Sequence, residues 1–323
     1  MNINFGYVAI SMKLDNVSPN KTVTLKNLKK IDRIYWENKL QLIAKQNLEN
    51  TLKILKYNNA YDIKLYRFTS KLVPFATHEE FKDYDWKTAL KKEFELIGNF
   101  VNEKSMRVGT HPDHFTLLNS PRKEVIEASI KDLNYHNSMF ELMGLGCEHK
   151  MIIHVGGMYK NKEDSIKRFY EGFSLLDDKV RKRIALENDD KLFNAEDVLK
   201  ICNDLKLPMV LDIHHDFCNP SPLRIKSLIK DIFDTWKNEK FPPKIHISSP
   251  KDEKNIRSHN DYVNCNDFID FIKEIKCFDF DFDVMVEAKM KDKALFKLID
   301  ELLVYDFIQK KSDGSIWVNT KIL

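Results

Sequence analysis

The feature that most constrains the fold is a regular alternation of short β-branched segments with longer amphipathic ones. The longer stretches 37–57, 124–145 and 194–207 repeat apolar residues at helical spacing, whereas the short ones are apolar runs typical of buried strands. Strands that alternate with helices predict parallel β-α-β units. Eight short segments qualify as strands: residues 3–10, 62–68, 105–111, 151–157, 182–188, 208–215, 243–248 and 283–288.

Eight such repeats favour a closed (β/α)8 barrel, the α/β fold known as the TIM barrel. The length of 323 residues suits one barrel, and no linker rich in Gly, Ser or Pro divides the chain, so we predict a single domain over residues 1–323. Asn194 is the predicted N-cap of its helix, with Asp197 in the first turn. An open, doubly wound sheet stays an alternative, because the number of strands does not prove closure.

Charge, cysteine content and hydropathy argue against several classes of protein. The formal net charge is only +3, with 31% of residues charged, so any DNA contact needs a local basic patch rather than an overall basic field. The five cysteines form no CxxC pair and suit reduced thiols better than disulfides. We find no signal-peptide pattern, no apolar run long enough for a membrane span and no glycine-rich phosphate motif. We therefore expect a cytoplasmic protein without a nucleotide cofactor.

Polar residues cluster where the predicted strands end, which is where barrel enzymes build their sites. A lone ionised side chain is costly to bury on an apolar strand, so these residues should be paired, neutral or bound to metal. Because parallel strands all end at one face of a barrel, the residues predict a shared centre. They are His111, His154, Glu187 with Asn188, Asp212 with His214 and His215, Lys244 with His246, and Glu287.

Taken singly, several of these residues have ordinary structural explanations. His154 suits a hydrogen-bonded core histidine, Glu287 suits a pair with Lys289, and Lys244 suits a surface lysine at the start of a strand. The convergence of His, Asp and Glu from different strands instead predicts a multinuclear site for divalent metals. Histidine and carboxylate ligands without cysteine suit zinc, manganese or iron better than magnesium or calcium alone. Such a centre can serve phosphoester hydrolysis or sugar isomerisation.

Nine stretches spread over nearly the whole chain carry a family resemblance: FGYVAIS, KLYRFTSKLVPFATH, THPDHF, IIHVGGMY, ALENDD, LDIHHDFCNP, KIHISS, RSHNDY and VMVEAK. Taken in this order, they resemble the UV damage endonuclease family. The resemblance implies a TIM barrel similar to that of endonuclease IV and a cluster of up to three divalent metals, with manganese expected first and zinc, magnesium or cobalt as alternatives. It also implies nicking of DNA immediately 5′ to pyrimidine dimers, with 6-4 photoproducts and other lesions as further substrates.

The same resemblance implies a division of the ligands among three metals. Glu187 would bridge the first two metals and, with Lys244, take a catalytic role. The first metal would be held by His111, His154 and Glu187, the second by Glu187, Asp212, His246 and Glu287, and the third by His215 and His259.

Two of these assignments depend on which way a side chain points. Strict alternation would put Asp212 and His214 on one strand face, whereas the family pattern Asp-x-x-His selects His215. Because the chain is already leaving the strand there, we select His215 and give His214 a supporting role. Lys244 shares a strand face with His246, and metals would repel its protonated form, so we expect it to be neutral or carbamylated.

The resemblance also implies residues that probe the damaged bases, namely Tyr7, His114 and Phe115. His114 and Phe115 stand where the family commonly has glutamine and tyrosine, and Ser11 or Met12 stands where it has asparagine. An aromatic face for stacking is retained at Phe115, while the tyrosine hydroxyl and the glutamine amide are lost. These departures concern the lesion preference rather than the hydrolytic chemistry.

The sequence therefore predicts a monomeric, metal-dependent endonuclease that acts on damaged double-stranded DNA and leaves 3′-hydroxyl and 5′-phosphate ends. Its candidate phosphate contacts are Lys71, Arg107, Lys160 and Lys289. Three alternatives stay open: an abasic-site endonuclease of the endonuclease IV type, a metal-dependent sugar isomerase or epimerase, and a binding protein with a structural metal.

Overall fold

All eight predicted strands are present and form one parallel sheet. The computed structural model describes residues 1–323, and each strand lies within or close to its predicted segment. The strands are β1 (Asn2–Val8), β2 (Leu65–Arg67), β3 (Arg107–Gly109), β4 (Met151–His154), β5 (Ile184–Glu187), β6 (Met209–Asp212), β7 (Lys244–Ile247) and β8 (Phe282–Val286).

The sheet closes into a barrel, and the pairing that completes it, between β3 and β4, is short. The strand order is β3-β2-β1-β8-β7-β6-β5-β4, so β3 and β4 are the two strands that must meet for closure. They do so through one bridge, in which Thr110 pairs with Met151. The Thr110 amide donates to the Lys150 carbonyl at 3.1 Å, and the Ile152 amide donates to the Thr110 carbonyl at 3.0 Å. The barrel prediction is confirmed, and the open doubly wound sheet is excluded.

Helices connect the strands and cover the outside of the barrel. The three stretches with helical spacing correspond to the helices that begin at Trp36, Lys123 and Ala195. Asn194 and Asp197 each accept a hydrogen bond from the other's backbone amide at 3.1 Å, which confirms the predicted N-cap. The helices are α1 (Leu25–Leu28), α2 (Trp36–Ala60), α3 (Trp86–Ala89), α4 (Lys91–Glu103), α5 (Lys123–Leu142), α6 (Lys162–Ser174), α7 (Asp178–Arg183), α8 (Ala195–Leu205), α9 (Ile213–Cys218), α10 (Ile225–Asp234), α11 (Cys265–Ile275) and α12 (Lys291–Leu302).

A C-terminal hairpin pairs with the first residues of β1. The sequence pattern did not predict this hairpin. It consists of β9 (Ile308–Ser312) and β10 (Ser315–Val318). β10 pairs antiparallel with residues 2–4 of β1, while β2 pairs with residues 6–8 along the same strand. Gly6 permits the close approach of β2, since a Cβ there would lie 2.2 Å from the Leu65 carbonyl oxygen. The hairpin therefore covers the N-terminal end of the barrel, away from the strand ends that carry the predicted ligands.

The buried apolar residues form one continuous core. One cluster contains 75 buried residues drawn from the strands and from the helices around them, and the next contains only four. We retain the single domain over residues 1–323 as a proposal that this continuity supports. All five cysteines are free. None of the helices has the length and apolar character needed to cross a membrane.

Candidate metal centre

The C-terminal strand ends bring six of the predicted ligands together. Their donor atoms fall into two groups, and within each group the atoms lie within 4.8 Å of one another. Glu187, the last residue of β5, belongs to both groups. The first group is His111, His154 and Glu187, and the second is Glu187, Asp212, His246 and Glu287. This division coincides with the one implied by the family resemblance for the first two metals.

Glu187 is the shared carboxylate of the cluster, and its side chain is only 1% exposed. His111 contacts one carboxylate oxygen through Nε2 at 2.8 Å, and His246 contacts the other through Nδ1 at 2.7 Å. Burial alone would raise the pKa of Glu187, but the surrounding histidines hold that pKa well below its usual range. Glu187 is therefore an anion that can offer its two oxygens in two directions.

His246 lies between two carboxylates. Its Nδ1 is 2.7 Å from Glu187 and 2.9 Å from Glu287. Burial lowers the pKa of His246, but these two anions outweigh it and raise the pKa above its ordinary value. Without a metal, a proton on Nδ1 offsets the negative charge at this point. A divalent cation at this point would displace the proton and satisfy both carboxylates.

Asp212 gives an independent indication that a cation fits this site. Its Oδ1 accepts the backbone amide of His215 at 2.8 Å, which caps α9. Its Oδ2 is buried and has no hydrogen-bond partner. A buried, unsatisfied carboxylate oxygen is costly, and a metal ligated by this oxygen removes the cost. The donor set of nitrogen and oxygen atoms suits a divalent transition metal.

The two adjacent histidines have different surroundings. His214 uses both ring nitrogens within the protein, at 2.6 Å from the Ile256 carbonyl and 2.6 Å from the Ser248 hydroxyl. His215 contacts the Asn188 carbonyl through Nδ1 at 2.9 Å, and its ring lines the open cavity above the barrel. Burial lowers the pKa of His215, but nearby carboxylates raise it to about 9. Of the two histidines, His215 therefore has the ring that faces the cavity, and its assignment as a metal ligand stays a prediction.

The third metal site is less complete than the other two. The rings of His215 and His259 lie 6.5 Å apart between centroids, and Nδ1 of His259 contacts the Glu287 carbonyl at 2.7 Å. These two histidines join no group of three ligands. A metal here would need further ligands from water or from a bound molecule, and the third site stays a prediction.

Lys244 is buried rather than placed at the protein surface. Its side chain is only 4% exposed at the start of β7, and it forms no ion pair. Burial is the main cause that lowers the pKa of Lys244 well below its ordinary value, and the charges of Arg107 and Arg67 act in the same direction. The explanation of Lys244 as a surface lysine is therefore wrong. A neutral or carbamylated side chain is what this environment favours.

The structure separates the three residues predicted to probe damaged bases. His114 and Phe115 are exposed on the loop after β3, and their rings lie 5.9 Å apart. Tyr7 is fully buried, and its hydroxyl donates to Asn58 of α2 at 2.6 Å. The prediction for Tyr7 is wrong, because its side chain points from β1 into the helix layer and cannot reach a bound duplex.

A cavity of about 780 Å³ lies over the ligand cluster and adds residues that the sequence analysis missed. Arg67, at the end of β2, forms an ion pair with Glu287, and Lys291 lines the same cavity. Arg67 is a polar residue at the end of a strand, which is the pattern that identified the candidate ligands. It was not among them because a guanidinium group does not bind metals. The predicted phosphate contact Arg107 is wrong, since it is 5% exposed and pairs with Asp283 at the opposite end of the barrel.

Comparison with known proteins identifies the family. A family model described as UV-endonuclease UvdE matches residues 3–319. The UV DNA damage endonuclease of Bacillus cereus (strain B4264) is 39% identical over 316 residues, which cover 98% of this chain and 99% of that relative. A crystal structure of SacUVDE superposes with a TM-score of 0.82 at 30% identity, covering 93% of this chain and 99% of the other.

A more distant similarity supports the barrel fold alone. Endonuclease IV from Thermus thermophilus superposes with a TM-score of 0.55 at 12% identity, covering 94% of this chain and 100% of the other. At this level of identity the two share an architecture, and no residue role is transferred. The family model and the closely similar relatives cover almost the full length, and the chain therefore belongs to the UvdE family of UV endonucleases.

Proposed function

We propose that this protein is a metal-dependent DNA endonuclease that hydrolyses the phosphodiester bond on the 5′ side of UV photoproducts. Pyrimidine dimers and 6-4 photoproducts are the proposed lesions, and the products carry 3′-hydroxyl and 5′-phosphate ends. The observation that carries the proposal is the pair of ligand groups joined through Glu187. Membership of the UvdE family and the name of the relatives, UV DNA damage endonuclease, support the choice of substrate.

The proposed metals are divalent, up to three in number, with manganese first and zinc, magnesium or cobalt as alternatives. Their contribution would be to make water a better nucleophile and to stabilise the entering and leaving oxygens of an in-line displacement. The chain's own part is to keep Glu187 and Glu287 ionised and oriented by hydrogen bonds from His111 and His246. Asp212 is fixed by Asn188, whose side-chain amide contacts the Asp212 backbone at 2.8 Å and 2.9 Å.

Lesion recognition is proposed for the loop after β3. His111 at the base of this loop contacts Glu187, and Phe115, a few residues on, leaves 57% of its side chain exposed. An exposed aromatic ring that follows a metal ligand can stack on an unstacked base while the metals act on the neighbouring phosphate. The proposed partner is therefore a damaged DNA duplex, bound by a monomer.

The test is nicking of matched duplexes that carry a pyrimidine dimer, an abasic site or no lesion, with manganese added. We expect cleavage of the dimer duplex, 5′ to the lesion, and a large loss of rate in the Glu187→Gln variant. Cutting at abasic sites alone would select an activity of the endonuclease IV type. An unchanged rate in Glu187→Gln would refute the proposed role of the shared carboxylate, and no cutting of any duplex would reopen the sugar isomerase and structural-metal alternatives.

A further inference from the structure

We propose that Arg67 and Lys291 form a subsite that binds the DNA backbone phosphate next to the one that is cleaved. This inference rests on the function proposed above and adds to it a specific place for the substrate backbone. Both side chains line the cavity that is also lined by Glu187 and His259. The subsite is distinct from the metal ligands, because neither a guanidinium nor an ammonium group binds a metal cation.

The first argument is a surplus of positive charge beside Glu287. Arg67 forms an ion pair with Glu287, and each side chain is only 11% exposed. Lys291 lies in the same region without an ion pair or a hydrogen bond from its ammonium group. Glu287 is therefore paired with one of the two cations, and the charge of Lys291 has no carboxylate of its own. If Glu287 also ligates a metal, as proposed above, less of its charge is left to offset the two cations, and an anion in the cavity would restore the balance.

The second argument is that Lys291 differs from the other cations of the cavity. Lys71 is exposed and can be solvated by water. Arg257 is satisfied by Asp190, whose carbonyl accepts from Nε at 3.1 Å. Lys291 is partly buried, and burial together with the charge of Arg67 lowers its pKa. A partly buried ammonium without a partner is costly, and a phosphate oxygen is the anion that a DNA substrate would supply.

The third argument is that Lys291 is held at a defined position. Its φ angle is 51°, in the left-handed region that is unfavourable for a side chain of this kind. The preceding amides of Lys289 and Met290 donate to the carbonyls of Asn260 and Asp261 at 3.1 Å and 3.0 Å. The following residue, Asp292, accepts the Met12 amide at 2.7 Å. Contacts from two loops thus fix the start of α12 on both sides of the lysine.

The experiment measures equilibrium binding of the metal-loaded enzyme to a duplex already nicked 5′ to a pyrimidine dimer, so that no turnover occurs. The test variant is Lys291→Met, and the matched control is Lys293→Met. Lys293 is exposed on the same helix and does not line the cavity. Dissociation constants are measured at several salt concentrations, with the nick carrying either a 5′-phosphate or a 5′-hydroxyl. Metal content and thermal unfolding confirm that each variant is folded and loaded.

We expect Lys291→Met to reduce the slope of log Kd against log salt by about 0.9, the value for one phosphate contact on duplex DNA. The reduction should be the same with either 5′ end, while Lys293→Met should match the wild type and Lys291→Arg should restore the slope. Nicking of intact substrate should show a raised KM with an unchanged kcat, since the contact acts equally in the ground and transition states.

Three results would overturn the inference. Equal slopes in Lys291→Met and the wild type would show that Lys291 contacts no phosphate. A reduction seen only with the 5′-phosphate would place the contact on the cleaved phosphate instead of its neighbour. Failure of the wild-type enzyme to cut or bind any damaged duplex would remove the proposed function and this subsite together, and that failure is recognised before any variant is compared.

Discussion

Tyr7 is buried and Phe115 is exposed, and this difference leads to a prediction about protein stability and lesion binding, which can be measured independently. Tyr7 was expected to face DNA but is buried, and Phe115 is exposed on the loop after β3. The substitutions Tyr7→Phe and Phe115→Ala should therefore affect different properties. The first should reduce the free energy of unfolding and leave lesion binding unchanged, and the second should do the reverse.

The magnitudes follow from the contacts that each substitution removes. Tyr7→Phe keeps the ring, which packs edge-on against Tyr66 at 5.7 Å, and removes only the hydroxyl that donates to Asn58 at 2.6 Å. A buried acceptor left without its donor costs about 1–3 kcal/mol. Phe115→Ala removes an exposed ring, so the change in unfolding free energy should stay within about 0.5 kcal/mol. Loss of one stacked base should weaken lesion binding by about 1–3 kcal/mol, or roughly 5- to 150-fold.

Urea unfolding gives the stability of each variant, and nicking of a duplex with one pyrimidine dimer gives the KM and kcat. We expect Tyr7→Phe to lower the urea midpoint with a wild-type KM, and Phe115→Ala to raise the KM with a wild-type midpoint. The reasoning fails if Tyr7→Phe loses lesion binding at unchanged stability, because Tyr7 would then reach DNA in a conformation that differs from this one. It also fails if Phe115→Ala binds lesions as the wild type does.

Three further predictions concern charge and ligand choice. Burial raises the pKa of Asp132 from 3.8 to about 6. The protonated carboxyl therefore makes its full contribution to the free energy of unfolding below about pH 4. As the pH rises through 6, the free energy of unfolding should fall by about 3 kcal/mol. Asp132→Asn keeps an acceptor for the Thr116 hydroxyl. In urea unfolding this variant should be more stable than the wild type at pH 8 but not at pH 4. An equal difference in stability at both pH values contradicts the prediction. If Lys244 is carbamylated, the native intact mass at neutral pH should exceed the sequence mass by one carbon dioxide, and Lys244→Ala should hold less metal; an unmodified mass with unchanged metal content rejects the modification. Metal analysis should show a larger loss in His215→Ala than in His214→Ala, and the reverse order would overturn the choice between them.

The candidate metal ligands could be predicted from the sequence because their position depends on topology alone. Parallel strands present all their C-terminal ends on one face of a barrel, so a residue needs only to end a strand in order to meet the others. Glu187 and Asp212 end β5 and β6, and the structure brings both into the same ligand group. No detail of side-chain packing was needed for this prediction.

The orientation of Tyr7 could not be predicted in the same way. Alternation along a strand separates two faces, but in a barrel one face lines the interior and the other lies under the helices, so both are apolar. Hydropathy therefore cannot decide between them. The contact with Asn58, which settles the question, joins residues 51 positions apart in the chain.

The ion pair of Arg67 with Glu287 joins residues 220 positions apart. The sequence identified Glu287 as a candidate ligand, but nothing in the local pattern around Arg67 names its partner. The sequence does not predict that Lys291 lacks an ion pair either, because this depends on which carboxylates lie near it in the folded protein. The sequence analysis therefore missed Arg67 and Lys291, whereas Lys71, one of its candidate phosphate contacts, does line the cavity.

The single bridge between β3 and β4 suggests a structural role for the proposed metals. His111 follows β3 and His154 ends β4, so the first ligand group lies across the strand pair that is joined by one bridge only. A cation bound by both histidines would link β3 to β4 and would stabilise the closed barrel by mass action. Removal of metal should therefore accelerate amide hydrogen exchange at Thr110 and Ile152 more than at the β7–β8 pairing. The metal centre that we propose for hydrolysis would then also stabilise the closed form of the barrel.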